Sequence, residues 1–109
     1  MVESALITWS DSEQAIAEAA FSCAYGRAVQ SVIGTVRSEA DSISTAEALW
    51  RLHDYLSTQR HVMEGRFDFR LDGILFVFAS LVKDNLLELQ ELDGLDADKL
   101  SKIKAMSRF

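Results

Sequence analysis

The chain has no proline in 109 residues. Proline is the usual terminator of helices and punctuator of loops, so its absence permits long uninterrupted helices and makes all-α the class to test. Cysteine occurs once, at Cys23. A lone cysteine excludes an internal disulfide and a cysteine-based zinc site, and it fits a reducing compartment, the cytoplasm. The five glycines are scattered, so no phosphate-cradling loop is present. Basic residues are outnumbered, with 11 Lys and Arg against 17 Asp and Glu for a formal charge of −6. That balance repels a polyanion and argues against nucleic acid as a partner. The longest uncharged apolar run, Gly73 to Val82, is about half of the ~20 residues a membrane span requires. The opening residues, Met1 to Trp9, lack the basic region of a signal peptide and carry only a brief apolar stretch.

What remains is 49% hydrophobic and 26% charged, a profile that folds and is far from disorder. The length suits a single domain spanning residues 1–109. Ser10-Asp11-Ser12-Glu13 has capping-box spacing and starts a helix that runs from Asp11 to about Ala40. Phe21, Tyr25, Ala28, Val32 and Val36 recur along one stripe of it, with Ile16, Ala20 and Cys23 on a neighbouring one. On this reading Cys23 is a small core residue. Some 30 helical residues reach about 45 Å, longer than the later segments can cover, and the overhang asks for a second copy.

Ser44-Thr45-Ala46-Glu47 is a second capping box, with Ser44 as N-cap of a helix running to about Met63 and Gly65 as its stop. A third helix is expected from about Phe67 to Leu89. Its stretch Ile74 to Phe78 is apolar all round and reads as the central buried helix. Strand is the competing assignment for that stretch, but the helical spacing continues on both sides. Asp96 caps a short last helix, with Leu95 and Leu100 placed for a hydrophobic staple and Lys102, Lys104 and Arg108 at the dipole's negative end. The architecture is thus one long N-terminal helix, two medium helices and a short C-terminal one, in a dimeric helical assembly.

The second helix carries the one unusual constellation. Trp50, His53, Asp54, Ser57, Arg60 and His61 fall within a sector of about 120°, opposite most of the leucines. Periodicity leaves two main readings open, a solvated face and a protein-binding or dimer-contact face, the second favoured by the hot-spot enrichment of Trp and Arg. Metal binding is disfavoured, since His53 and His61 lie roughly 12 Å apart along the helix and no His-Glu-x-x-His pattern occurs. Catalysis is disfavoured too: His53 and Asp54 point about 100° apart, and no nucleophile motif accompanies them.

Leu49-Trp50-Arg51-Leu52-His53-Asp54-Tyr55-Leu56-Ser57, followed by Gln59-Arg60-His61, resembles the signature segment of the cyanobacterial fluorescence recovery protein family. The resemblance continues through Gly65-Arg66-Phe67-Asp68, Ile74 to Lys83 and Asp98 to Ala105, and includes Trp9-Ser10. It departs from the family pattern at Val62-Met63-Glu64 and at Asp84-Asn85. The resemblance implies an all-helical, cofactor-free homodimer that binds the photoactivated orange carotenoid protein, chiefly through that partner's C-terminal domain. Such a protein is no bond-making enzyme; it speeds return of its partner to the resting orange form and so ends quenching of phycobilisomes. It would reside in the cytoplasm, including the cytoplasmic side of thylakoids. The implied partner-binding residues are Trp50, His53, Asp54 and Arg60, with a secondary contribution from Phe76 and Lys102. The alternative is a dimeric helical interaction module for an unrelated protein.

Overall fold

Ser10 accepts the Glu13 amide on its hydroxyl at 3.1 Å, and Glu13 Oε1 accepts the Ser10 amide at 3.1 Å, so the expected capping box is complete. It launches α1, Asp11–Asp41. The computed structural model describes residues 8–109; most of the segment read above for a signal peptide, residues 1–7, lies outside them. After α1 come α2, Ala46–Arg66, α3, Ile74–Lys83, and α4, Ala97–Met106, with a 3₁₀ turn at Leu89–Leu92 before the last. The order is the expected one, and the differences lie in boundaries and burial.

Thr45, not Ser44, caps α2, accepting the Ala48 amide at 3.1 Å. Gly65 does not stop that helix, which continues to Arg66 and ends at Phe67. The third helix is 10 residues long, far shorter than Phe67 to Leu89. Its C-terminus explains why. Asn85 adopts φ 62° as the left-handed residue beyond the cap, the Leu86 amide reaches the Leu81 carbonyl at 2.9 Å, and the Asn85 amide reaches that of Val82 at 3.1 Å. This is a Schellman closure with asparagine in the position glycine usually takes.

Burial follows small residues in α1. The side that packs is Ala17, Ala20, Ala24 and Ala28, which lets the helix sit close against the 3₁₀ turn and share one core with α3 and α4. There Ile74, Phe78, Leu81, Leu92 and Ile103 are fully buried. Phe21 lies beside this core, edge-on to Phe67 and Phe69 at 5.5 and 5.2 Å. Tyr25 is 47% exposed, and Cys23 is exposed rather than core, because the packed side of the helix is the alanine side. α3 is likewise not buried all round: Phe76 is 70% exposed.

Lys99 is the one buried charged residue among those described, and it ties both ends of the chain together. Its Nζ donates to both Glu13 oxygens at 2.9 and 3.0 Å and to the Thr8 carbonyl, and lies 4.4 Å from the centre of the Trp9 ring. Glu13 also accepts the Asp96 amide at 2.8 Å. The Lys99 bond, then the Asp96 and Ser10 amides, hold the Glu13 carboxyl down to about 2. Asp96 caps α4 by position, without a side-chain bond to its amides.

The result is an elongated molecule, 55 × 28 × 25 Å. A head is built from the first half of α1 with α3, the 3₁₀ turn and α4. A stem is formed by the second half of α1 and by α2.

Candidate functional site

α2 is 21 residues long and buries none of them. It packs on α1 only through a half-buried stripe that includes Leu52, Tyr55 and Met63. A helix of this length is marginal in water without tertiary packing, so its exposed face is informative. Trp50 is 61% exposed, and Leu49, Leu56 and Val62 are exposed with it. The expected face is present. Trp50 stands edge-on to His53 with ring centres 6.2 Å apart, and His53 Nδ1 lies 3.4 Å from Asp54 Oδ1. The two adjacent side chains thus meet although their Cα–Cβ directions diverge.

Arg60 lies six positions beyond Asp54, about 9 Å up the helix, and does not reach it. Its Nε donates to Glu64 Oε2 at 3.2 Å, an i,i+4 pair that the sequence reading overlooked although the spacing was legible. Both side chains are open to water, at 80% and 66% exposure, so the pair is weak and readily exchanged. Arg60 and Glu64 also border a groove of about 500 Å³ between the stem helices, whose apolar walls include Tyr25, Val32, Ile33 and Met63.

The two remaining candidates sit on the head. Phe76 projects from α3 beside a groove of about 350 Å³ lined also by Ser80, Lys83, Met106 and Phe109. Lys102 is exposed on α4. The six candidate residues therefore form two patches: Trp50, His53, Asp54 and Arg60 on the stem, and Phe76 and Lys102 on the head. Met106 and Phe109 beside Phe76 were not singled out from sequence, because at the end of a short helix they carry no periodic signal.

Exposed side chains of this kind are fitted to docking. A carboxylate, an imidazole and a guanidinium that stay hydrated can exchange water for a partner's groups, with Trp supplying rigid apolar area. Among the described residues, no three His, Cys, Asp or Glu side chains converge as a metal site. No helix among those residues is long and apolar enough to cross a membrane.

Residues 9–107 match the family described as photoprotection regulator fluorescence recovery protein. The chain is 44% identical to the fluorescence recovery protein of Synechocystis sp. (strain ATCC 27184 / PCC 6803 / Kazusa) over 109 residues, all of both chains. The solved structure of the Fremyella diplosiphon fluorescence recovery protein is 48% identical and superposes with a TM-score of 0.90, covering 94% of this chain and 100% of that one. The Synechocystis structure covers the same shares at 44% identity, also with a TM-score of 0.90. An R60K mutant of that protein gives a TM-score of 0.90 as well, at 43% identity.

Proposed function

The chain belongs to the fluorescence recovery protein family, and from that premise we propose that it acts on a photoactivated orange carotenoid protein. It is a non-enzymatic regulator of photoprotection. It binds the activated carotenoid protein, chiefly at the C-terminal domain, and accelerates its return to the resting orange form, ending phycobilisome quenching. This is conformational catalysis. Binding the partner more tightly near its barrier than in either end state is worth a tenfold acceleration per ~1.4 kcal/mol of difference.

The observation that carries the reading is the uncovered α2 with Trp50, His53, Asp54 and Arg60 on one side. Trp50 fills an apolar pocket of the partner, and Arg60 leaves Glu64 for a partner carboxylate, where its planar fork pairs bidentately. Phe76 and Lys102 make the secondary contact from the head. Residues 1–109 act as a single domain, paired as a homodimer through the stems; the exposed Leu49 and Leu56 support this. It acts in the cytoplasm, including the cytoplasmic side of the thylakoids.

The test is the dark recovery rate of a photoconverted orange carotenoid protein, with and without this chain. Sub-stoichiometric acceleration is expected. Arg60→Ala should abolish it, a loss of ~2 kcal/mol or more as at a hot spot, while helicity and dimer mass stay unchanged. The R60K relative keeps the same fold, so a folded Arg60 variant is a fair expectation. A dimeric Arg60→Ala protein with full activity would refute the site.

A further inference from the structure

Arg66 is the last residue of α2, and its guanidinium crosses to α3. Nη2 donates to the Ser80 carbonyl at 2.9 Å, to Ser80 Oγ at 2.9 Å and to Asp84 Oδ2 at 2.6 Å. The side chain is only 21% exposed, and its Nε is buried without a partner. A surface arginine could turn outward and hydrate that donor. Holding it in the seam leaves Nε unpaired while the two Nη2 hydrogens are shared among three acceptors, all on the same neighbour.

The acceptors are not arbitrary. Phe76, Ser80 and Asp84 follow one another at steps of four along one side of α3, and all three line the head groove. Arg66 therefore grips the stripe that presents Phe76. Arg60 lies six residues before it, about 9 Å along α2. Between the two helices run residues 67–73, with no regular helix among them. α2 buries no residue fully; Leu52, Tyr55 and Met63 are half-buried towards α1, and Phe67 packs on Phe21 and Tyr25. Among the described residues Arg66 makes the only side-chain hydrogen bonds from α2 to α3.

We propose that Arg66 is a positioning residue: it locks the stem patch in register with the head patch, so that the two engage one partner as a single rigid surface. The proposal rests on the two-patch reading above. Two contacts on one rigid body strengthen each other through effective concentration, and that gain is lost when their spacing is free to vary.

The experiment uses the full chain with Cys23→Ser, Thr58→Cys and Ser101→Cys. Labelled protomers are diluted into excess unlabelled chain, and the label-to-label distance distribution is measured alongside carotenoid-protein recovery. Arg66→Ala should keep its helicity and mass, broaden the distribution and lower the acceleration by about 10-fold. Arg66→Lys should restore only part of each, since one ammonium cannot reproduce the fork. Phe76→Ala should also cost less activity in the Arg66→Ala background than in the parent, because the two patches no longer act together. An unchanged distribution, an unchanged acceleration, or strictly additive Phe76 and Arg66 losses would each overturn the proposal. Should Arg66→Ala not fold, the Ser80→Ala/Asp84→Asn pair weakens the same clamp from the other side and is read by the same criteria. If the parent chain itself gives no acceleration, the partner assignment fails, while the distance measurement still reports on the clamp.

Discussion

Gly94→Ala is expected to destabilise the head strongly, and the structure says by which two routes. Gly94 holds φ 107° in the turn before α4, and a Cβ built there would lie 2.4 Å from Ile16 Cδ1. Carbon pairs prefer about 3.5–4.0 Å, so this methyl cannot stay where it is. The backbone conformation alone costs an L residue roughly 1–3 kcal/mol, and overpacking adds roughly 1–3 kcal/mol less whatever Ile16 recovers by changing rotamer. A total of about 2–4 kcal/mol follows, a large share of the stability of a small domain. Urea unfolding at fixed protein concentration is the assay, because the apparent stability of the proposed dimer would depend on concentration. The routes separate with Ile16→Val, which removes the offending Cδ1. In the parent it should cost about 0.5–1.5 kcal/mol, whereas in the Gly94→Ala background it should cost nothing or stabilise, giving a coupling near 1 kcal/mol or more. Additive behaviour, or a Gly94→Ala protein as stable as the parent, would refute the account.

The Glu13 carboxyl is held at about 2 against an ordinary 4.5, so its contribution to stability is complete above pH 4.5 and lost as pH falls towards 2. Acid titration of unfolding should therefore show Glu13→Gln less stable than the parent at neutral pH, with the gap closing across that window; a gap constant down to pH 2 would refute the linkage. Leu56 is 40% exposed in the protomer, so Leu56→Glu should change protomer stability by only about 0.5 kcal/mol yet halve the mass seen by light scattering at micromolar concentration. A Leu56→Glu protein that stays dimeric would place the interface elsewhere.

The fold was legible where local chemistry and periodicity agree. Ser10 and Glu13 form the capping box that their spacing announced, and no proline contradicts the helices. Legibility failed where one residue overrides a pattern. The apolar spacing from Phe67 to Leu89 is helical in period, but Gly73 at one end and left-handed Asn85 at the other confine the helix to Ile74–Lys83. In α1 the bulky stripe drew attention, while the contact that positions the helix belongs to alanines, whose small size permits close approach and registers weakly in any hydrophobicity pattern. The stem face was readable because Trp50, His53, Asp54 and Arg60 share a sector of one unbroken helix. The partnership of Arg66 with Ser80 and Asp84 was not, since it joins residues 14 and 18 positions apart across a turn.

Head and stem solve different problems with the same chain. The head closes its own core around Phe78 and Ile74 and seals it with the Lys99–Glu13 pair, leaving Phe76 and Phe109 exposed on its surface. The stem has no such core: beyond Ala28, neither α2 nor the second half of α1 buries a residue among those described. Helices that are only half-buried against each other gain further stability from packing still to be made, and exposed apolar residues such as Leu56 and Val62 have an incentive to be covered whichever molecule does it. On the proposed reading, a second copy and a regulated partner both draw on the stem. In the proposed assembly the chemistry of α2 offers both kinds of contact: Leu49 and Leu56 suit a permanent apolar one, and the indole, imidazole, carboxylate and guanidinium suit one that forms and dissolves. A regulator that must release its partner once the orange form is reached is better served by the second kind of contact, whose hydrated groups lose little on parting.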